Sequence, residues 1–104
     1  MNRRITLRQQ ARRDLVLYLD YLSCAGDPNL PDRFQAAVDR ACQLLADQPR
    51  LGKRLFLQSP ALAEARMWVL REFPQYLLVY EPRPNGIRLL RVMHAKLDIW
   101  RVLK

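Results

Sequence analysis

The segment RVMHAKLDIW, residues 91–100, gathers the only histidine of the chain, His94, with Arg91, Lys96 and Asp98. Those residue types can cleave RNA. At neutral pH the reaction needs a base for the 2′-hydroxyl proton, an acid for the leaving oxygen and cations around the phosphate. His94 qualifies as the base because imidazole titrates near neutrality, with Arg66, Arg91, Lys96 and Arg101 as the cations. The same spacing suits a structural role, in which His94 at a strand end hydrogen-bonds to Asp98, four residues on. One histidine and scattered arginines arise readily in a basic domain, so the spacing by itself favours the second role.

Such residues act only if a scaffold converges them, and composition bounds that scaffold. The chain has 104 residues, 50% of them hydrophobic, which suffices for one core but not two, so residues 1–104 are expected to form a single domain. Lys and Arg number 18 against 10 Asp and Glu, a formal charge of +8. A field of that sign draws acidic partners: nucleic acid, an anionic membrane surface or an acidic protein. No apolar run approaches the roughly 18 residues of a membrane span, and the Met-Asn-Arg-Arg start lacks the apolar stretch of a secretory signal. A cytoplasmic location is expected. Cys24 and Cys42 each sit in a helical pattern outside any CxxC or Cys/His cluster. They are expected to be reduced, packed thiols, with no metal and no cofactor.

Along the chain, RRITL (3–7) predicts a short strand, and Ala11, Leu15, Tyr18, Leu19 and Leu22 mark one face of a helix that ends near Gly26. GDPNLPD turns the chain into a second helix, with Pro31 in its first turn and Phe34, Ala37, Val38, Ala41, Leu44 and Leu45 on its buried face. Pro49 must end it, because proline lacks the amide and disfavours helix in the residue before it. The loop PRLGKR follows, with the basic cluster Arg50, Lys53 and Arg54, and LFLQSPALAEA has no clear period. Three strands complete the pattern: RMWVLREF, YLLVYEP and IRLLRVMH, the last two joined through Asn85-Gly86, a hairpin signal because both residues tolerate positive φ. Trp68 is expected in the core, and Trp100 is expected to pack the closing tail onto the sheet.

Alternation along the last strand puts Ile87, Leu89 and Met93 on one face and Leu90 and Val92 on the other. In the preceding strand Tyr76, Leu78 and Tyr80 oppose Leu77 and Val79. Both sheet faces are therefore apolar. A helical hairpin covers one, so the second must be covered by the chain's own tail or by a partner protein.

This order of elements resembles the RelE/ParE superfamily of bacterial toxins. ARRDLVLYLDYL (11–22) is similar to the family's first helix, with its Ala-x-x-Asp-Leu start and aromatic end. LLADQPRLGKRL (44–55) is similar to the end of the second helix and the following turn, here Pro49, Gly52 and Lys53. ARMWVLREFPQYLLVYEP (65–82) resembles strands 2 and 3 of the family, and IRLLRVMHAKLD (87–98) resembles the final strand with its Arg-Val-x-His-x-x-x-Asp ending. The resemblance implies an α+β fold: an N-terminal strand, a two-helix hairpin packed on a small antiparallel sheet of about four strands, and a short C-terminal tail or helix.

Two activities occur in the superfamily. RelE-like members are ribosome-dependent mRNA endoribonucleases, and ParE-like members poison DNA gyrase. RelE-like nucleases carry an arginine after the first tyrosine of strand 3, where this chain has Leu77 after Tyr76. They often place a tyrosine or second histidine near the C-terminus, where this chain has Trp100, Val102, Leu103 and Lys104. The His-x-x-x-Asp ending is the ParE-like form. The resemblance thus implies the toxin of a type II toxin-antitoxin module, a gyrase poison that blocks replication by binding, with no catalytic residue and no cofactor. Its target contacts would be Arg91, His94, Lys96, Trp100 and Arg101. The alternative is an endoribonuclease acting through His94, Arg91 and Arg66. Either toxin implies a small acidic antitoxin whose segment, disordered alone, folds onto the toxin. It would cover the open sheet face at Leu77, Val79, Ile87, Leu89 and Met93 and meet the cations Arg50 and Arg54.

Overall fold

The computed structural model describes residues 4–96. Asp98, Trp100 and Arg101, and with them the expected tail, lie outside the described residues. Strand β1 (Arg4–Leu7) leads into α1 (Gln9–Ser23) and α2 (Leu30–Asp47), followed by β2 (Lys53–Arg54), a 3-10 turn at Pro60–Leu62, and β3 (Arg66–Val69), β4 (Tyr76–Arg83) and β5 (Gly86–His94). The helices form where the 3.6-residue period runs. Ala11, Leu15, Tyr18 and Leu22 line the buried stripe of α1, and Phe34, Ala37, Val38, Ala41 and Leu45 that of α2. Pro31 sits in the first turn of α2, where no amide is needed, and the helix stops at Asp47, ahead of Pro49.

The sheet has five strands in the order β1-β5-β4-β3-β2. It is mixed rather than wholly antiparallel as expected, because β1 pairs parallel with β5 while the other neighbours are antiparallel. The helical hairpin is the crossover that parallel neighbours require. Gly86 opens β5 where only glycine fits, since a Cβ there would collide with the backbone of Arg4 on β1. The fifth strand, β2, is two residues long and too short to show a period. The segment read as one strand over 66–73 is β3 as far as Val69. Beyond it Leu70 N–H donates to Tyr76 O (3.0 Å), and Leu70 and Phe73 turn into the core.

Strand alternation breaks once. Val79 stands opposite Arg91 and Tyr80 opposite Leu89, so Leu90 is an extra residue, a β-bulge. Past it the faces exchange. Ile87, Leu89 and Val92 join Tyr76, Leu78 and Tyr80 beneath the helices, whereas Leu90 and Met93 join Leu77, Val79 and Ala65 on the second face. The expected pairing of Met93 with Ile87 and Leu89 is corrected accordingly, as is that of Val92 with Leu90. Trp68 packs, partly buried, against the helix-side core. The second face is covered in part by a segment that showed no period: Leu55, Leu57 and Leu62 fold back over it from residues 55–62. These leucines are partly buried, so each contributes less than the roughly 1.5–3 kcal/mol of a fully buried side chain, but the three act together to hold the segment against the sheet.

Candidate functional site

Strand β1 accompanies β5 only from Gly86 to Leu89. Farther along, the outer edge of β5 has no strand beside it among the described residues, and α1 takes that place. Val92 N–H donates to Asp14 Oδ2 at 3.0 Å, and His94 N–H donates to the Tyr18 hydroxyl at 3.3 Å. The geometry matches because four residues of helix rise about 6 Å and two residues of strand about 6.6 Å. Asp14 is 5% exposed, and its carboxylate also accepts Arg91 Nε at 2.8 Å, Arg91 Nη2 at 3.2 Å and Gln10 Nε2 at 3.2 Å. A carboxylate this buried is tolerable because its lone pairs are so fully used. Arg91 is thereby held in a two-pronged ion pair.

His94 ends β5. Its Nδ1 accepts the Lys96 amide at 3.2 Å, which puts the proton of the neutral ring on Nε2, and its ring meets Tyr76 edge to face at 5.0 Å. A base using Nδ1 would first have to release Lys96. Lys96 itself is exposed.

Arg66 stands elsewhere. It faces Tyr80, while His94 faces Tyr76, so the two lie about 13 Å apart along the strands and about 10 Å across them. Arg66 Nη1 donates to Gly52 O at 2.8 Å and Arg50 O at 3.2 Å. Beside it the Tyr80 hydroxyl donates to Pro49 O at 2.7 Å and accepts Gly52 N–H at 2.8 Å. Burial pushes the Tyr80 hydroxyl above its usual pKa, against the opposing pull of the Gly52 hydrogen bond and the Arg66 charge. Gly52 has no room for a Cβ, which would meet that hydroxyl and the Met67 carbonyl. His94, Arg91 and Arg66 are thus not brought together: each is engaged in holding its own part of the fold.

What the fold does assemble is a groove. A space of about 750 Å³ opens between the start of α1 and the second sheet face. Leu57, Leu62, Val79 and Leu90 form its floor, and Arg8, Arg13, Arg88 and Arg91 stand around it. Of the residues expected on the open face, Val79 lines this floor, and Leu77 and Met93 lie in the same apolar cluster. Ile87 and Leu89 do not belong there: both are 0% exposed in the helix-side core. Arg50 and Arg54 are also displaced from it. Arg54 donates to Ala63 O at 3.2 Å and pairs with Glu64, and Arg50 borders a separate concavity with Leu51 and Pro82. Arg8, Arg13 and Arg88 went unnoticed in the sequence. Arg88 carried a signal, since it shares a strand face with Leu90; Arg8 and Arg13 required knowing where α1 lies.

One loop residue is unusual. Phe56 is 75% exposed and has φ +53°, a left-handed conformation costing a β-carbon residue roughly 1–2 kcal/mol. The Arg54 guanidinium sits 5.1 Å from its ring centre. Of the two thiols expected to be packed, Cys42 is buried, whereas Cys24 lies exposed just past the end of α1, which corrects the expectation for that residue. Burial pushes the Cys42 thiol up to about 12, and Asp39 adds to the shift; both cysteines are free. Among the described residues no His/Cys/Asp/Glu group could hold a metal ion, and no helix is long and apolar enough to cross a membrane.

Comparison with known proteins gives this arrangement a family. Residues 5–99 match the family model described as ParE toxin of type II toxin-antitoxin system, parDE. A solved structure described as the chromosomal ParDE TA system from P. aeruginosa superposes with a TM-score of 0.69 at 14% identity, covering 88% of this chain and 95% of that one. No curated protein sequence matches. With the family match running from β1 through both helices and all five strands, the chain belongs to the ParE toxin family of type II toxin-antitoxin systems.

Proposed function

We propose that this toxin inhibits DNA gyrase by binding, so that cleaved DNA persists and replication stops, and that an acidic antitoxin neutralises it. The observation that carries the choice of binding over catalysis is the engagement of Arg91 by Asp14 and of Arg66 by the carbonyls of residues 50 and 52. A ribonuclease needs such cations free to meet a phosphate. Here removing them would first disturb the fold. His94 and Lys96, at the open end of β5, remain target contacts in this proposal, together with Trp100 and Arg101.

The antitoxin's place is the groove. An amphipathic segment could set apolar side chains on Leu57, Leu62, Val79 and Leu90 while its carboxylates meet Arg8, Arg13 and Arg88. Charge and apolar surface ask for the same partner there.

The test is a supercoiling assay with purified toxin. Inhibition with accumulation of linear plasmid is expected, and relief by the antitoxin. A toxin that leaves gyrase untouched at stoichiometric excess, but yields ribosome-dependent mRNA cuts lost in His94→Ala, would establish the endoribonuclease instead.

A further inference from the structure

The segment 50–56 carries two exposed apolar side chains, Leu51 (43%) and Phe56 (75%), among the cations Arg50, Lys53 and Arg54. Neither is used by the core. At Phe56 the chain adopts positive φ, which glycine takes without penalty and an aromatic residue does not. The flanking Leu55 and Leu57 pack into the second apolar cluster, and the ring between them faces outward. Folding alone would favour glycine or asparagine at this position. The loop is also firmly held. Leu55 N–H donates to Ala65 O at 3.0 Å, and Arg54 reaches both Ala63 O and the Glu64 carboxylate. Arg54 in turn lies over the Phe56 ring.

We propose that Phe56 is the anchor by which the toxin engages its target protein, inserting into an apolar pocket rimmed by carboxylates, with Leu51 as a second contact. An exposed aromatic residue on a hydrogen-bonded loop, kept there at a conformational cost, suits an interface hot spot: a large contact area on a backbone with little freedom left to lose. The surrounding Arg50, Lys53 and Arg54 set the sign of the pocket's rim; among the described residues, Arg54 alone of the three is paired to a carboxylate, Glu64 at 3.3 Å. Two exposed apolar side chains on one short segment suit a protein surface better than a stacked base. This inference rests on the reading of the chain as an inhibitor by binding and does not require that the target be gyrase.

The decisive variant is Phe56→Gly, which relieves the backbone while removing the ring. Its thermal midpoint is expected to equal or exceed that of the parent. Its potency in arresting growth on induced expression, and in the supercoiling assay, is expected to fall by at least about 10-fold, with Phe56→Trp keeping most of it. Neutralisation by the co-expressed antitoxin is expected to survive in both. Unchanged growth arrest by Phe56→Gly overturns the inference, as does a parallel loss of antitoxin binding, which would give the ring to the antitoxin. An equal loss of plasmid binding overturns it too, by assigning the ring to base stacking. If the parent arrests growth without touching gyrase, the gyrase proposal falls while the growth readout still judges Phe56.

Discussion

Asp14 is the residue on which the end of β5 depends. It accepts hydrogen bonds from the Arg91 side chain, the Val92 amide and Gln10, all from a site that is 5% exposed. Replacing it by alanine leaves a buried amide and a partly buried guanidinium without their acceptor. Asp14→Ala is therefore expected to cost about 3 kcal/mol in denaturant unfolding, and Arg91→Ala about the same or less, because Arg91 is partly solvated. A double-mutant cycle should return a coupling well above the ~0.5 kcal/mol of an exposed pair; a cost near zero for Asp14→Ala would refute this account. Nothing local announced the pair. The two residues are 77 positions apart, and the Ala-x-x-Asp-Leu pattern located Asp14 on α1 without naming its partner. His94 was more legible: it does stand at a strand end and bonds locally, to the Lys96 amide two residues on, while the expected partner, Asp98, lies outside the described residues.

The elements that the sequence made plain are those with a period or a breaker. The stripes of α1 and α2 follow from 3.6-residue spacing and the end of α2 from Pro49; Asn85-Gly86 located the last hairpin, but its two-residue loop is Pro84-Asn85, with Gly86 already paired to Arg83 and Asn85 not at positive φ. The bulge at Leu90 had no such mark, because both sides of the break are apolar and either alternation reads as a strand. Its effect was to exchange Val92 with Met93 between faces, and the assignment of Ile87 and Leu89 to a partner failed on the same strand. Likewise β2 and the parallel pairing of β1 arise from contacts distant in sequence. The turn after α2 shows how such contacts work. Tyr80 on β4 bonds both Pro49 O and Gly52 N–H, tying the turn to the middle of the sheet. Tyr80→Phe removes that hydroxyl and is expected to destabilise the protein by about 1–3 kcal/mol. Hydrogen exchange at the Gly52 amide should accelerate in step; an unchanged exchange rate would mean the turn is held by other means.

For the molecule as a whole, a charge of +8 acts through its distribution. The groove beside α1 concentrates arginines over an apolar floor, so antitoxin binding is expected to weaken steadily with salt while retaining an apolar component that salt does not remove. Arg88→Glu and Arg13→Glu are each expected to reduce antitoxin affinity by about 10-fold at physiological salt. Titration calorimetry would measure this, and parent-like affinity in both variants would move the antitoxin off the groove. The strand order carries a further consequence. The last described strand, β5, is an interior strand, lying between β1, the first, and β4. A growing chain that has made α1 and α2 therefore has no sheet on which to lay them, and β1 waits without a neighbour until residues 86–94 have been synthesised. The β1-β5 pairing and the helix packing that rests on it are therefore expected to form only after β5 has been made. In hydrogen exchange on the whole chain, the amides of β1 are then expected to gain protection together with those of β5 and not before them, and earlier protection of β1 would refute this order.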